Sequence, residues 1–246
     1  MIFQNFGFNR QEIKAAVTPA FNYPSGAFAI FDFGNPSSYS GSGIYVNDVS
    51  GNGGFGTLIN SPTWTSTNGG ILQLVQASSQ YIEYGATFTP DGTYVFIWKN
   101  TDSTFQKDTG FPTFRAAYGG IYAPLGGTKL YVPIPANNST GFSTYFGAQQ
   151  SISDIQIWHQ YASVVDSISS TSTTITTYMD GSSNAASENK NFDRTGTSNS
   201  GTTYIGWDNA VSDRYANGYL MAYLHYNRAL TTTELDDIYN IFSTRF

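Results

Sequence analysis

The chain has 246 residues and a net charge of −6, contains no cysteine, and only 11% of its residues are charged. That length suits one large β-sandwich, a fold that reaches roughly 200–250 residues as a single domain. The acidic balance excludes a phosphate-backbone binder, which needs a basic patch. The lack of cysteine excludes disulfides, zinc–thiolate sites and a thiol nucleophile.

Residues 1–24 differ from the rest. They hold Phe3, Phe6, Phe8, Arg10 and Lys14, and close on the turn-like Tyr23-Pro24-Ser25-Gly26. Gln11 to Val17 has room for one or two helical turns. A terminus is often frayed, but phenylalanines on a free tail are costly. The alternative to fraying is an arm that anchors on a neighbouring subunit. The opening residues have neither a cationic start nor an apolar run of signal-peptide length, and nothing matches a membrane span. The sequence predicts a chain made and kept in a cytosol.

From Ala27 onward a strand pattern begins. Candidate strands are 27–33, 71–75, 80–84, 93–99, 112–118, 128–132, 155–165, 173–179, 203–207 and 217–226. The 18 Tyr, 18 Phe and 4 Trp, with abundant Ser and Thr, suit pleated, half-buried surfaces. Turn signals separate the strands: Ser50-Gly51-Asn52-Gly53-Gly54, Asn68-Gly69-Gly70, Asp91-Gly92, and Asp180-Gly181 as a hairpin tip. The Ser/Thr run 167–174 reads as a turn and the start of a strand. Many short strands with glycine turns predict an all-β sandwich of two antiparallel sheets. One helix is expected at 232–242. Thr231 and Glu234 form a capping box, and Leu230 and Leu235 a hydrophobic staple. Leu235, Ile238, Tyr239 and Phe242 fall on one face.

Four ordered stretches carry a family resemblance. The first runs from Phe31-Asp-Phe-Gly-Asn-Pro-Ser-Ser-Tyr39 through Gly41-Ser-Gly43 and Asp48-Val-Ser-Gly-Asn-Gly53 to Gly56-Thr-Leu58. The second is Gly70-Ile-Leu-Gln-Leu74 with Tyr81-Ile82. The third is Ile157-Trp-His-Gln-Tyr-Ala-Ser-Val-Val165 with Thr177-Tyr-Met-Asp-Gly181. The fourth is Tyr204-Ile-Gly206, Asn217-Gly-Tyr-Leu220 and Tyr226-Asn-Arg-Ala-Leu-Thr231 to Glu234. Together they resemble the laminin-G-like, concanavalin A-like jelly-roll domains, in the form found in bacteriophage structural proteins. The resemblance covers about residues 27–246 and implies a jelly-roll domain over 25–246. It leaves the arm 1–24 and the aromatic, Gly- and Pro-rich segment 100–150 unexplained. The fold itself hosts many functions.

Glycosidases of the wider fold place paired carboxylates on one strand face. The four Glu here, Glu12, Glu83, Glu188 and Glu234, are scattered. Asp208 and Asp213 are the best remaining pair, and Arg214 can neutralise Asp213. His159 and His225 both lie in strand-like stretches and read as structural. No nucleophile elbow or phosphate loop is present. The sequence therefore predicts no catalytic residues and no enzyme. Calcium is the cofactor to weigh, with Asp48, Asn52 and Asp208 as oxygen donors. The competing reading of Asp48–Gly53 is turn chemistry, in which Asp and Asn cap their own backbone.

For binding, the loop aromatics Tyr118, Tyr122, Tyr145, Trp207 and Tyr215 offer faces for sugar C–H groups, and Asn209, Asp213 and Arg214 offer polar partners. Segment 111–135 reads equally as a protein interface. The leading expectation is a multi-copy bacteriophage virion protein, a capsid decoration or a head- or tail-appended lectin-like domain. It would be assembled in the host cytoplasm, attached to other virion proteins through residues 1–24, and able to meet host-surface glycans. The alternative is a stand-alone carbohydrate-binding module or adhesin, and a glycoside hydrolase ranks below both.

Overall fold

A computed structural model describes residues 21–88, 91–103, 109–111, 121–123, 129–135, 144–169, 172–190, 199–207 and 213–246. The arm residues Phe3, Phe6, Phe8 and Arg10, the helical turns expected at Gln11 to Val17, and the strand expected at 112–118 lie outside them. The strands are β1 (Ala27–Asp32), β2 (Tyr45–Asn47), β3 (Phe55–Ile59), β4 (Thr63–Thr65), β5 (Ile71–Leu74), β6 (Tyr81–Phe88), β7 (Gly92–Asn100), β8 (Thr109–Phe111), β9 (Ile121–Ala123), β10 (Lys129–Pro135), β11 (Thr144–Ser151), β12 (His159–Ser169), β13 (Ser172–Met179), β14 (Asn184–Lys190), β15 (Asn199–Ile205) and β16 (Gly218–Tyr226). The helix α1 spans Thr232–Ser243.

The protein is an all-β sandwich of antiparallel sheets with a C-terminal helix. One sheet has the order β14-β13-β12-β7-β16-β5-β4, with β1 also paired to β16. A second has the order β15-β6-β3-β2. Segment 100–150, which matched no family stretch, supplies a third sheet, β11-β10-β9-β8. There β8 approaches β15 while β11 lies against β13 and β14, so this sheet joins the flanks of the other two. The two-sheet expectation thus gains a third. Pro133 is accommodated in β10 at a register shift between Tyr131 and Pro133, as suits a residue with no N–H to donate.

The largest sheet is covered on both faces, so its central strands read as continuous apolar runs. On β7, Tyr94, Phe96 and Trp98 face the space between the sheets, whereas Val95 and Ile97 join the cluster under α1. One edge of β16 is shared. Gly218 to Leu220 pair with β5, and Ala222 to Tyr226 pair with β1. A register shift between Leu220 and Ala222 lies at that handover. It sets Met221 and Ala222 both on the helix side, while Leu220 and Tyr223 face inward. The extra residue of such a bulge is what breaks the two-residue alternation.

The helix begins as its sequence predicts. Glu234 N donates to Thr231 Oγ1 at 3.3 Å, and Thr231 N donates to Glu234 Oε2 at 2.9 Å. Arg228 donates to both Glu234 oxygens at 2.9 and 2.6 Å. Those bonds from Arg228, helped by Thr231, hold the Glu234 carboxyl down at about 2. Leu235, Ile238 and Phe242 are buried. Tyr239, expected on the same face, is only half-buried and meets Phe246 edge-on at 6.0 Å. The β13–β14 tip is the expected Asp-Gly turn, with φ of 56° at Asp180 and 87° at Gly181. Ser182 N and Oγ donate to the Asp236 carboxylate at 2.6 and 2.8 Å, pinning that tip to α1. Leu235→Ala is expected to cost about 2–5 kcal/mol, because Leu235 is fully buried and its loss leaves a cavity. Urea unfolding measures this, and a loss below about 1 kcal/mol would contradict the packing described.

Candidate functional site

The outer face of the second sheet carries a cluster of four aromatic rings. On β6 and β15, Ile82, Tyr84, Thr203 and Ile205 point into the core, so the alternate residues Tyr81, Glu83 and Tyr204 face outward. Beyond β15, Gly206 has φ of 90°, and a Cβ there would stand 2.6 Å from Leu74 Cδ1. Only glycine allows the chain to turn at that point. The turn delivers Trp207, which forms an isolated antiparallel bridge with Tyr215. Ala216 N closes it by donating to Gly206 O at 2.7 Å.

The Trp207 and Tyr215 rings stack 5.5 Å apart at 11°. Tyr81 lies 4.8 Å from Trp207 and 6.0 Å from Tyr215, and Tyr204 lies 5.0 Å from Trp207. All four rings are half-buried. Burial, then the neighbouring Glu83 carboxylate, push the Tyr81 phenol above its ordinary pKa. Asp213 is exposed and Arg214 half-buried at the end of the same loop. The structure therefore brings together Trp207 and Tyr215 of the expected ligand residues, with Asp213 and Arg214 beside them in sequence. Tyr81, Tyr204 and Glu83 are additions. Their signal was present as outward positions alternating with Ile82, Tyr84 and Ile205, but aromatic strand residues read first as core. Asp208, Asn209 and Tyr118 lie outside the described residues, as do the side chains of Tyr122 and Tyr145.

The Asp48 loop is built as a tether. Asp48 Oδ1 accepts from Ile30 N and Ser50 N, both at 2.8 Å, and Asp48 Oδ2 accepts from Ser50 Oγ at 2.6 Å. Asn52 Nδ2 donates to the carbonyls of Ala27 and Phe28 at 2.9 and 2.8 Å. These two side chains tie the glycine loop to β1, and the bond from Ser50 N to Asp48 Oδ1 is the local capping expected of an Asp in a turn. Among the described residues, no three carboxylate or imidazole groups come together.

The two histidines are held in opposite electrostatic settings. His159 Nε2 lies 2.8 Å from the Asp154 carbonyl and Nδ1 lies 2.7 Å from Asp180 Oδ2. Neither partner has a proton to give, so imidazolium satisfies both contacts. Burial alone would lower the pKa, but the hydrogen bond and charge of Asp180, with those of Asp154, raise it. His225 is fully buried between Phe28 and Tyr94, each 4.9 Å away, with Nδ1 3.3 Å from Tyr84 Oη. Burial pushes its pKa down to about 3. Of the glutamates, Glu234 is committed to Arg228 and the helix cap, and Glu83 stands on the outer sheet face. Glu12 and the Glu188 side chain lie outside the described residues.

No protein-family model matches this chain, and no curated protein matches it in sequence. Its fold is similar to that of solved botulinum neurotoxin binding domains. The type G receptor-binding domain aligns at 15% identity with a TM-score of 0.59, over 88% of this chain and 51% of that one. The serotype D/C binding domain aligns at 9% identity with a TM-score of 0.63, over 88% and 52%. The DC binding domain in complex with SialylT aligns at 9% identity with a TM-score of 0.61, over 88% and 51%. This chain spans about half the length of those domains, and at such identities the likeness is one of fold.

Proposed function

We propose that this protein is a non-catalytic, glycan-binding β-sandwich whose contact surface is centred on Trp207. The observation that carries this reading is the four-ring cluster of Tyr81, Tyr204, Trp207 and Tyr215 on an outer sheet face. Aromatic faces receive the C–H face of a pyranose, and Glu83, Asp213 and Arg214 are close in the fold or sequence to receive its hydroxyls. The fold likeness adds support, since one of the similar domains was solved with SialylT and another belongs to a study of ganglioside-dependent cell entry by type C toxin. Among the described residues no glutamate pair is at hand for double displacement, which favours binding over hydrolysis.

Trp207→Ala is expected to weaken binding on a glycan array by about tenfold or more, equivalent to about 1.4 kcal/mol. The thermal transition should stay near that of the wild type. A wild-type protein that folds and leaves a broad array blank would overturn the reading. The resemblance to phage-type domains supports placing the sandwich on a virion, attached through residues 1–24. Mass spectrometry of purified particles is the measurement for that placement, and absence of the chain from them would remove it.

A further inference from the structure

The outer face of the second sheet does not end at the Trp207 cluster. Register places Tyr204 opposite Glu83, Glu83 opposite Thr57, and Thr57 opposite Tyr45. Val46, Leu58, Ile82 and Thr203 on the same strands are buried, so these four residues share the outward face. They form one straight row across the sheet, aromatic, carboxylate, hydroxyl, aromatic. The far end is reinforced. Phe55 meets Tyr45 edge-on at 5.1 Å, and both are more than half exposed, at 56% and 55%. Large apolar faces left this open on a small sheet call for an explanation. Beside Glu83, one outward position further along β6, the face is low, since nothing lies within 4 Å of a Cβ placed on exposed Gly85.

We infer that this row is an extended binding cleft for a neutral oligosaccharide chain lying across the strands. The inference rests on the glycan-binding reading above and adds the ligand's length and charge. Three strand spacings separate Tyr204 from Tyr45, about 14 Å. An extended pyranose chain repeats at close to one strand spacing, so the row spans about four sugar units. The Trp207 cluster holds one end of the chain and Tyr45 with Phe55 the other. Thr57 and Glu83 face the hydroxyls between them, with Glu83 acting as acceptor only. The row contains no cation, its one charge is the Glu83 carboxylate, and the chain's net charge is −6. An acidic sugar over Glu83 would be repelled, so the units lying over the row are uncharged, with the cation Arg214 beyond the row at the Trp207 end.

Calorimetry with a ladder of neutral oligosaccharides, from disaccharide to hexasaccharide, tests this, with a sialylated trisaccharide as the acidic comparator. The proteins are wild type, Trp207→Ala, Tyr45→Ala and Phe55→Ala, each checked by thermal melting. The wild-type affinity is expected to rise with length and level off near the tetrasaccharide. Tyr45→Ala should remove about tenfold of that gain, and Phe55→Ala should act in the same direction. Binding that needs Trp207 but ignores both chain length and Tyr45 would overturn the extended cleft and leave the glycan reading standing. Tighter binding of the sialylated sugar than of any neutral one would overturn the assigned charge. No binding of any sugar by folded wild type would overturn both readings.

Discussion

Arg245→Ala is expected to destabilise the fold by about 3–5 kcal/mol, the loss typical when one partner of a buried ion pair is removed. Asp32 is completely buried and Arg245 nearly so, with side-chain exposures of 0% and 12%. Arg245 Nη1 donates to both Asp32 oxygens at 2.8 and 3.1 Å. The same guanidinium donates from Nε to Asn68 O and from Nη2 to Gly70 O, and Asn68 Nδ2 returns a bond to Arg245 O. Asp32 also accepts from Gly34 N and Tyr23 Oη, both at 2.8 Å. Burial, then the charge of Asp32, drive the Tyr23 phenol far above its ordinary range, so it stays a donor. Alanine would leave a carboxylate in the interior with no cation, and would free the C-terminal residues from the 68–70 turn. Arg245→Lys keeps the charge but loses the planar fork, so an intermediate loss is expected. Chemical denaturation of the two variants measures the series. A loss below about 1 kcal/mol for Arg245→Ala would show that the pair is not what holds these segments.

Acid is expected to weaken the protein through His225. His225 has a folded pKa of about 3, below the value of about 6.5 for an unfolded histidine. The unfolded chain therefore binds a proton that the folded chain refuses. Stability is full above pH of about 6.5 and declines by about 1.4 kcal/mol per unit as pH falls toward the folded pKa. Between pH 6.5 and 4.5 the expected loss is about 2–3 kcal/mol. His159 works in the opposite sense. Its folded pKa is raised, so its contribution is complete below the unfolded pKa and drains away as pH rises through the folded one. Below about pH 5.5 it is protonated in both states, so the His225 slope is read there undisturbed. Urea unfolding as a function of pH should show that slope in the wild type and a flat response in His225→Phe. His225→Gln serves if phenylalanine does not fit beside Tyr94 and Phe28. A variant that keeps the full slope would assign it elsewhere. Proton NMR gives a second check, because the His225 ring should not titrate between pH 7 and 4.5.

Both effects depend on partners that are remote in the chain. Asp32 and Arg245 are separated by 213 positions, and neither stands out in a protein whose charges are few. His159 and His225 looked alike in the sequence, each within a strand-like stretch beside aromatic residues. Their environments separate them. His159 sits at the start of β12, where the β13–β14 tip brings Asp180 to it. His225 sits at an inward position of β16, between aromatic rings.

The local elements were legible where local chemistry decides them. The capping box at Thr231 and Glu234, the Asp180-Gly181 turn, the Asp48–Gly53 loop and the long strands β7, β13 and β16 follow from neighbours a few residues apart, whereas β12 starts at His159 instead of 155 and runs on through Ser169. Short strands were missed, and so was the eight-residue β11. β2, β3 and β4 are three to five residues long and are punctuated by Gly and Pro, so they show too little alternation to read. β15 begins at Asn199, earlier than 203, because Asn-Ser-Gly-Thr carries no apolar signal and is a strand only by pairing with β6.

The sequence by itself determined the class of fold, the helix and its start, the hairpin tip and the scarcity of paired carboxylates. These rest on backbone preference and on spacing along the chain. Tertiary structure decided which aromatics are core and which are surface. Tyr81 and Tyr84 are three residues apart on one strand, yet one joins the outer cluster and the other is buried against Phe31 and Tyr223. The side-chain repeat of a strand is two, so register alone assigns each residue to a face. The row from Tyr204 through Glu83 and Thr57 to Tyr45 comes from three separate pairings between strands. The surface on which the proposed function rests is therefore a product of strand order, which no single stretch of this chain encodes.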